Sequence, residues 1–179
     1  DIPPIGVGEG TVPSIRQTLI EFGIDEKELM EKCDATFKQS IKFVNWQDKH
    51  KYGELNAYHH LFDHPHKYAA LTDYWLHIND PSLDYASTVA PQAFACEFNR
   101  SAKVDNTRQY EGMTGYAYHF NAAKFASLLA TNAKEKFKVS HRLANIIDAE
   151  LAESGEILSL VTSENQTLAF DFYIDCEWS

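Results

Sequence analysis

Residues 115–136 read GYAYHFNAAKFASLLATNAKEK. GYAYHF (115–120) is a short extended stretch, and the period changes immediately after it. Ala122, Phe125, Ala126, Leu129 and Ala133 fall on one face of a helix. Asn121 is placed to cap that helix, which runs to about Lys136. Downstream, KVSHRLANI (138–146) predicts the start of a new strand. IIDAEL, EILSLV and QTLAFDF come next, separated by ESG and SEN turns, as an antiparallel meander. FYIDC (172–176) reads as a short buried strand. A helix, a parallel strand, a meander and a return strand together predict an α+β insertion on an α/β sheet.

Upstream, PIGVGEGTVPS (4–14) is rich in glycine. Thr11 offers a helix cap, Pro13 suits an early helical position, and Val12, Ile15, Leu19 and Phe22 have helical periodicity. Gly23 stops that helix. Asp25 with Glu28 is a capping-box pattern for a second one, with Leu29, Met30 and Cys33 inward. IKFVNW (41–46) alternates like a strand, and AALTDYWLHIN (69–79) fits a short helix with Leu71, Trp75 and Ile78 inward. Residues 80–115 mix helical turns with loops.

Composition bounds the function. The chain has 179 residues, of which 44% are apolar and 23% charged, as in ordinary globular proteins. Its 16 Lys+Arg against 26 Asp+Glu give a formal charge of −10. That argues against nucleic-acid binding, which rests on neutralising phosphates. No stretch approaches a membrane helix, and there is no signal-peptide pattern. Cys33, Cys96 and Cys176 are odd in number and widely spaced, which fits neither a disulfide framework nor a zinc site. A reducing, cytoplasmic setting is expected. Both ends look cut: Asp1 stands just before Pro3-Pro4, and DFYIDCEWS closes on an apolar strand. The expectation is one partial domain of something longer.

Three groups of residues carry possible chemistry. GVGEG (6–10) can cradle a phosphate or flavin edge with backbone N–H groups, or be a plain turn; it is not the G-x-G-x-x-G fingerprint. Glu9 sits where a ligand would touch, or is simply solvated. HKYGELNAYHHLFDHPH (50–66) holds His50, His59, His60, His64 and His66. No carboxylate triad or H-E-x-x-H accompanies them, so a metal site is not expected. His60 and Phe62 are two apart and would share a strand face, able to sandwich a flat ligand or pack in a core. Lys38 and Lys42, in DATFKQSIKFVNW (34–46), would share a helix face if the second helix reached that far. Either could snorkel to solvent, or serve as a cationic donor or an amine nucleophile.

Taken together, PIGVGEGTVPSIRQTL, GIDEKELMEKCDATFKQSIKFVNW, YHHLF, LTDYWL, AYHFNAAKFASLL and the closing meander with FYIDC resemble, in order, the flavin-dependent tryptophan halogenases. The resemblance covers nearly the whole chain. It implies an α/β fold of the FAD/NAD(P)-binding, flavin monooxygenase-like type, incomplete here, with an antiparallel meander and part of a substrate lobe. By role it divides the chain into a flavin-side loop, helices and catalytic-lysine segment (1–46), a substrate-side region (47–115), and helix, meander and return strand (116–179).

The resemblance further implies that FADH2, dioxygen and halide give hypohalous acid, which reaches Lys38 and halogenates an aromatic ring such as the indole of tryptophan. Lys38 matches the family's essential lysine, and its ammonium is expected in a sheltered hollow. His60 and Phe62 match residues that pack on the indole. Gly8, Glu9 and Thr11 match the flavin side. A flavin reductase would supply the reduced cofactor. The family's first G-x-G-x-x-G, its W-x-W-x-I-P signature, its downstream glutamate and its chloride-binding groups have no counterpart here, and DCEWS replaces D-C-S/T-G. The isolated chain is therefore expected to bind FAD weakly and to be inactive, with unsupported sheet edges favouring self-association. Two alternatives stand: a non-catalytic remnant that binds a partner or an aromatic ligand, and a hydroxylating flavin monooxygenase, which would not need Lys38.

Overall fold

Alternation along residues 116–120 organises the larger part of the molecule. Tyr116, Tyr118 and Phe120 are buried on one side, while Ala117 and His119 face the other. The computed structural model describes residues 9–53, 56–65 and 70–176. In it, β5 (Ala117–Phe120) is the centre of a three-stranded antiparallel sheet, flanked by β1 (Glu9–Gly10) and β2 (Thr36–Lys38). The contacts divide the chain into two compact units, Asp1–Phe137 and Lys138–Ser179.

The tyrosine face of this sheet carries the core of the first unit. Leu19 of α1 (Ile15–Glu21), Leu29 of α2 (Glu26–Lys32) and Leu128 of α7 (Ala122–Lys136) pack there with Ile24 and Cys33. Local chemistry sets the helix ends. Asp25 accepts from the N–H groups of Lys27 and Glu28, and Asn121 accepts from that of Lys124, so both caps form as the sequence predicts. Gly23 adopts a φ of 64°, which ends the preceding helix at no steric cost. Thr11 does not cap α1. Ser14 holds that position without a side-chain bond, and the Thr11 hydroxyl instead accepts from the Tyr118 N–H and donates to its carbonyl. Pairing with β5 satisfies more backbone groups than a cap would, so tertiary pairing wins over local preference.

One charge is enclosed in this core. Glu26 is 5% exposed. Its carboxylate receives Lys103 Nζ at 2.5 Å, the Tyr116 and Tyr118 hydroxyls at 2.6 Å each, and the Tyr110 N–H at 2.8 Å. Burial alone would raise its pKa. The hydrogen bonds from Lys103, Tyr116, Tyr118 and Tyr110 outweigh that and hold it below the usual carboxylate value. The same burial, with the adjacent carboxylate, pushes Tyr116 and Tyr118 far above an ordinary phenol.

After β2 the chain breaks at Gln39 and enters a second, two-stranded sheet of β3 (Ser40–Val44) and β4 (Ala57–Leu61). The one-turn helix α3 (Lys49–Tyr52) lies in the connection. Gln39 is buried, donates to the Arg100 carbonyl at 2.6 Å and accepts from the Thr114 hydroxyl at 2.7 Å. Lys38 and Lys42 therefore lie on strands of two different sheets and share no helix face. The next region holds α4 (Leu71–Ile78), α5 (Tyr85–Val89) and α6 (Gln92–Glu97). In α4, Trp75 is half-buried and its indole N–H reaches the Leu83 carbonyl, but Ile78 is exposed. Gln92 is fully buried: its Oε1 accepts from the N–H groups of Phe62 and Asp63, and its Nε2 donates to the Gly115 carbonyl.

The second unit is the expected meander, β6 (Ile146–Leu151), β7 (Ile157–Thr162) and β8 (Thr167–Leu168), in that order and antiparallel. Gly155 and Asn165, at φ of 88° and 58°, make its turns. Two expected strands do not form. Residues 138–145 carry no regular structure, and in 172–176 Phe172 and Ile174 stay 78% and 77% exposed. A strand requires a ladder with a hydrogen-bonded neighbour, and among the described residues no ladder includes either segment. Every ladder there is antiparallel, so the expected parallel strand is absent from it.

Candidate functional site

The register of the first sheet builds the site. Phe37 pairs with Tyr118 on the core face, its ring 5.2 Å from that of Tyr116. By alternation Lys38, opposite Ala117, is turned to the other face, where His119 also lies. Gly10 is the register partner of His119. A methyl group at Gly10 would meet the His119 ring and Lys38 Nζ at 3.2 Å each, so the missing side chain makes room for both.

Lys38 is half-buried, and its ammonium lies 5.5 Å from the centre of the Phe62 ring, within cation–π reach. Among the described residues no carboxylate pairs with it. It lines an open cavity of about 440 Å³ with Ser40, Cys96, Asn99, Arg100 and His119. Desolvation, and then the Lys38 charge, lower the His119 pKa, so this imidazole stays neutral at neutral pH.

The β3–β4 hairpin separates two histidines that the sequence sets side by side. Ile41 pairs with His60 and Lys42 with His59, so the two imidazoles leave opposite faces. His60 lines a second cavity of about 420 Å³ with Phe43, Tyr58, Tyr85 and Val89, next to the stacked Phe43 and Tyr58 rings. Phe62 lies past the end of β4, in a bend pinned by Gln92, and its ring belongs to the Lys38 side. The structure thus brings Lys38 and Phe62 together and sets His60 on the wall of the other cavity. His59 also borders that cavity, but its ring nitrogens meet Ser40 and Glu97: Ser40 Oγ is 2.9 Å from His59 Nδ1, and His59 Nε2 is 2.7 Å from Glu97 Oε1. Lys42 is held by the same Glu97 oxygen at 2.5 Å and does not enter the Lys38 cavity lining.

On the expected cofactor side, Gly8 lies outside the described residues, as does His66 of the histidine cluster. Glu9 is exposed, and its register partner Phe120 puts it on the face opposite Lys38. The Thr11 hydroxyl is spent on Tyr118. Among the described residues no group of three His, Cys, Asp or Glu side chains is placed to hold a metal. No helix there is long and apolar enough to cross a membrane.

Sequence reasoning met Gly10 and His59 only within a glycine-rich turn and a histidine cluster, and did not single out Ser40, Glu97 or His119 for this site. The period-two pattern of YAYHF could have set His119 opposite the tyrosines. Glu97 carries no local signal at all.

The chain as a whole is matched among known proteins. The family model described as tryptophan halogenase matches residues 1–177. The chain belongs to the tryptophan halogenase family. Tryptophan 7-halogenase RebH of Lentzea aerocolonigenes is 31% identical over 98% of this chain and 35% of its own length. Tryptophan 7-halogenase KtzQ of Kutzneria is 30% identical over the same shares. The crystal structure of a tryptophan halogenase from Shewanella frigidimarina superposes with a TM-score of 0.86 at 35% identity, over 98% of this chain and 34% of that one. The tryptophan 6-halogenase SttH of Streptomyces toxytricini gives a TM-score of 0.81 at 29% identity. The fold expected from the resemblance, α/β with open sheets and incomplete, is the fold these structures share with it. The chain spans about a third of the length of the relatives it matches.

Proposed function

We propose that this chain is the lysine-bearing third of a flavin-dependent halogenase acting on an aromatic substrate, an indole such as tryptophan. The observation that carries the reading is the Lys38 ammonium: half-buried, against the Phe62 ring, and without a carboxylate partner among the described residues. FADH2, supplied by a flavin reductase, would with dioxygen and halide provide hypohalous acid. Lys38 then donates a hydrogen bond to the oxygen of that acid and polarises its halogen toward the ring. The halogen adds to the ring carbon, hydroxide leaves with a proton as water, and the ring loses a proton. The halogen is reduced and the ring carbon oxidised.

Phe62 offers a face to the substrate beside Lys38, and His60 a second aromatic wall reached from the neighbouring cavity. Glu9, and Gly8 before it, would lie toward the flavin. Thr11 fits that role only through its backbone position, since its hydroxyl is occupied; it ties the loop to β5. Gly10 keeps the loop close enough to adjoin Lys38.

Lys38→Ala in the full-length enzyme tests the assignment. Loss of a donor aimed at developing charge should lower halogenation by about 10²–10³-fold while FADH2 oxidation continues. Halogenated product at the wild-type yield would defeat the role given to Lys38.

A further inference from the structure

We propose that Ser40, His59 and Glu97 form a proton relay in the wall of the Lys38 cavity, with Ser40 as its inner end. The inference rests on the halogenation reading. Three elements converge to make it. Ser40 and Lys42 leave the same face of β3, His59 stands opposite Lys42 on β4, and Glu97 arrives from the end of α6. Ser40 lines the cavity that holds Lys38. His59 is nearly enclosed, with a side chain 9% exposed, whereas that of Glu97 is 47% exposed.

The carboxylate end sets the direction assigned to the transfer. The hydrogen bonds from Lys42 and then from His59 hold Glu97 below the usual carboxylate value, so it can only accept. In its neutral form the imidazole meets that acceptor with the proton on Nε2, and the proposed relay then has Nδ1 accept from the Ser40 hydroxyl 2.9 Å away. Ser40 Oγ keeps lone pairs for the cavity. This is the arrangement of an activated hydroxyl: hydroxyl to imidazole, imidazole to an orienting carboxylate.

The reaction gives such a relay work to do. When a ring C–H becomes C–halogen, the C–H electron pair returns to the ring and the proton must leave. Ser40 Oγ takes that proton as its own passes to His59 Nδ1. His59 is then an imidazolium beside the Glu97 carboxylate, and it releases the proton to solvent. Lys42 shares the same carboxylate, so the resting cluster is neutral and the loaded one is positive. The extra charge favours release rather than trapping. Ser40 would be a catalytic residue, and His59 and Glu97 would act through it.

The test uses the full-length enzyme with FADH2, dioxygen and bromide, and L-tryptophan or its ring-deuterated form as the probe. Ser40→Ala should lower halogenated product per flavin oxidised by about 10²-fold and expose a substrate deuterium isotope effect absent from the wild type. Ser40→Thr, which keeps the hydroxyl, should restore both. If Ser40→Ala melts early, Glu97→Gln at its exposed position carries the same expectation. Wild-type yield without an isotope effect in either variant that folds would overturn the relay. Nitrogen-15 NMR of histidine-labelled enzyme reads His59 independently of turnover. An Nε2–H tautomer that shifts in Ser40→Ala and Glu97→Gln supports the relay. An Nδ1–H tautomer indifferent to both variants overturns it. A wild type that oxidises FADH2 but halogenates nothing would instead defeat the halogenation reading, and the NMR result would then decide the relay alone.

Discussion

Among the described residues two lysines lean over aromatic rings, Lys38 and Lys103, and their partners differ. Lys103 Nζ lies 5.7 Å from the Tyr116 ring centre and is also bound to the buried Glu26 carboxylate and to the Arg108 carbonyl. Lys38 Nζ lies 5.5 Å from the Phe62 ring centre, with no carboxylate to neutralise it among the described residues. The first charge is consumed by the fold, because its removal would strand an opposite charge in the core. The second is available to a ligand. An inward cation that the fold does not need is a better functional candidate than a buried cation that it does.

The largest test of this contrast is Glu26→Ala. It leaves the Lys103 ammonium, two tyrosine hydroxyls and the Tyr110 N–H without their acceptor. Urea unfolding should report a loss of about 3–5 kcal/mol. The same cluster sets an acid limit. Because the folded pKa of Glu26 is depressed, its stabilisation is present above the ordinary carboxylate value and is lost as pH falls through the lowered one. Glu26→Gln should flatten that limb of the pH–stability curve.

Gln92→Ala comes next. It orphans the Asp63 N–H and the Gly115 carbonyl, each worth about 1–3 kcal/mol when buried and unpaired, and leaves the Phe62 N–H only its bond to the Gln39 carbonyl. It should also loosen Phe62, so weaker binding of an indole probe than its melting point alone accounts for would tie the core to the site. The smallest expected effect sharpens the contrast most. Lys38→Met should change unfolding free energy by no more than about 0.5 kcal/mol. A loss as large as that of Glu26→Ala would show Lys38 to be a structural residue like Lys103.

Local signals gave a good part of the fold. The Asp25 and Asn121 caps, the Gly23 stop and the meander turns depend on residues within a few positions of one another, and each formed. The capping reading of Thr11 failed because a strand partner 107 positions away competes for the same hydroxyl. The strand reading of FYIDC failed for want of a neighbour, a condition no apolar pattern reveals. In the candidate site, Lys38 and Phe62, which the resemblance names, lie together. The separation of His59 from His60 needed only the strand period, once the strand was known. The Gln92 clamp and Glu97 were not legible, because their partners lie 23 to 55 residues away and nothing near them in the chain announces the bond.

The sequence by itself determined that residues 41–46 alternate and that 115–120 run extended into a capped helix; the strand at 36–38, and the parting of tyrosines and lysine across its pairing with β5, came from the tertiary structure. Only the tertiary structure decided which of two lysines enters the cavity. Lys38 and Lys42 are four residues apart and chemically alike. Buried Gln39 breaks the chain between them by bonding to Arg100 and Thr114, which sends each to a different sheet. Lys42 then meets Glu97 and is neutralised, while Lys38 faces Phe62 with its charge unspent.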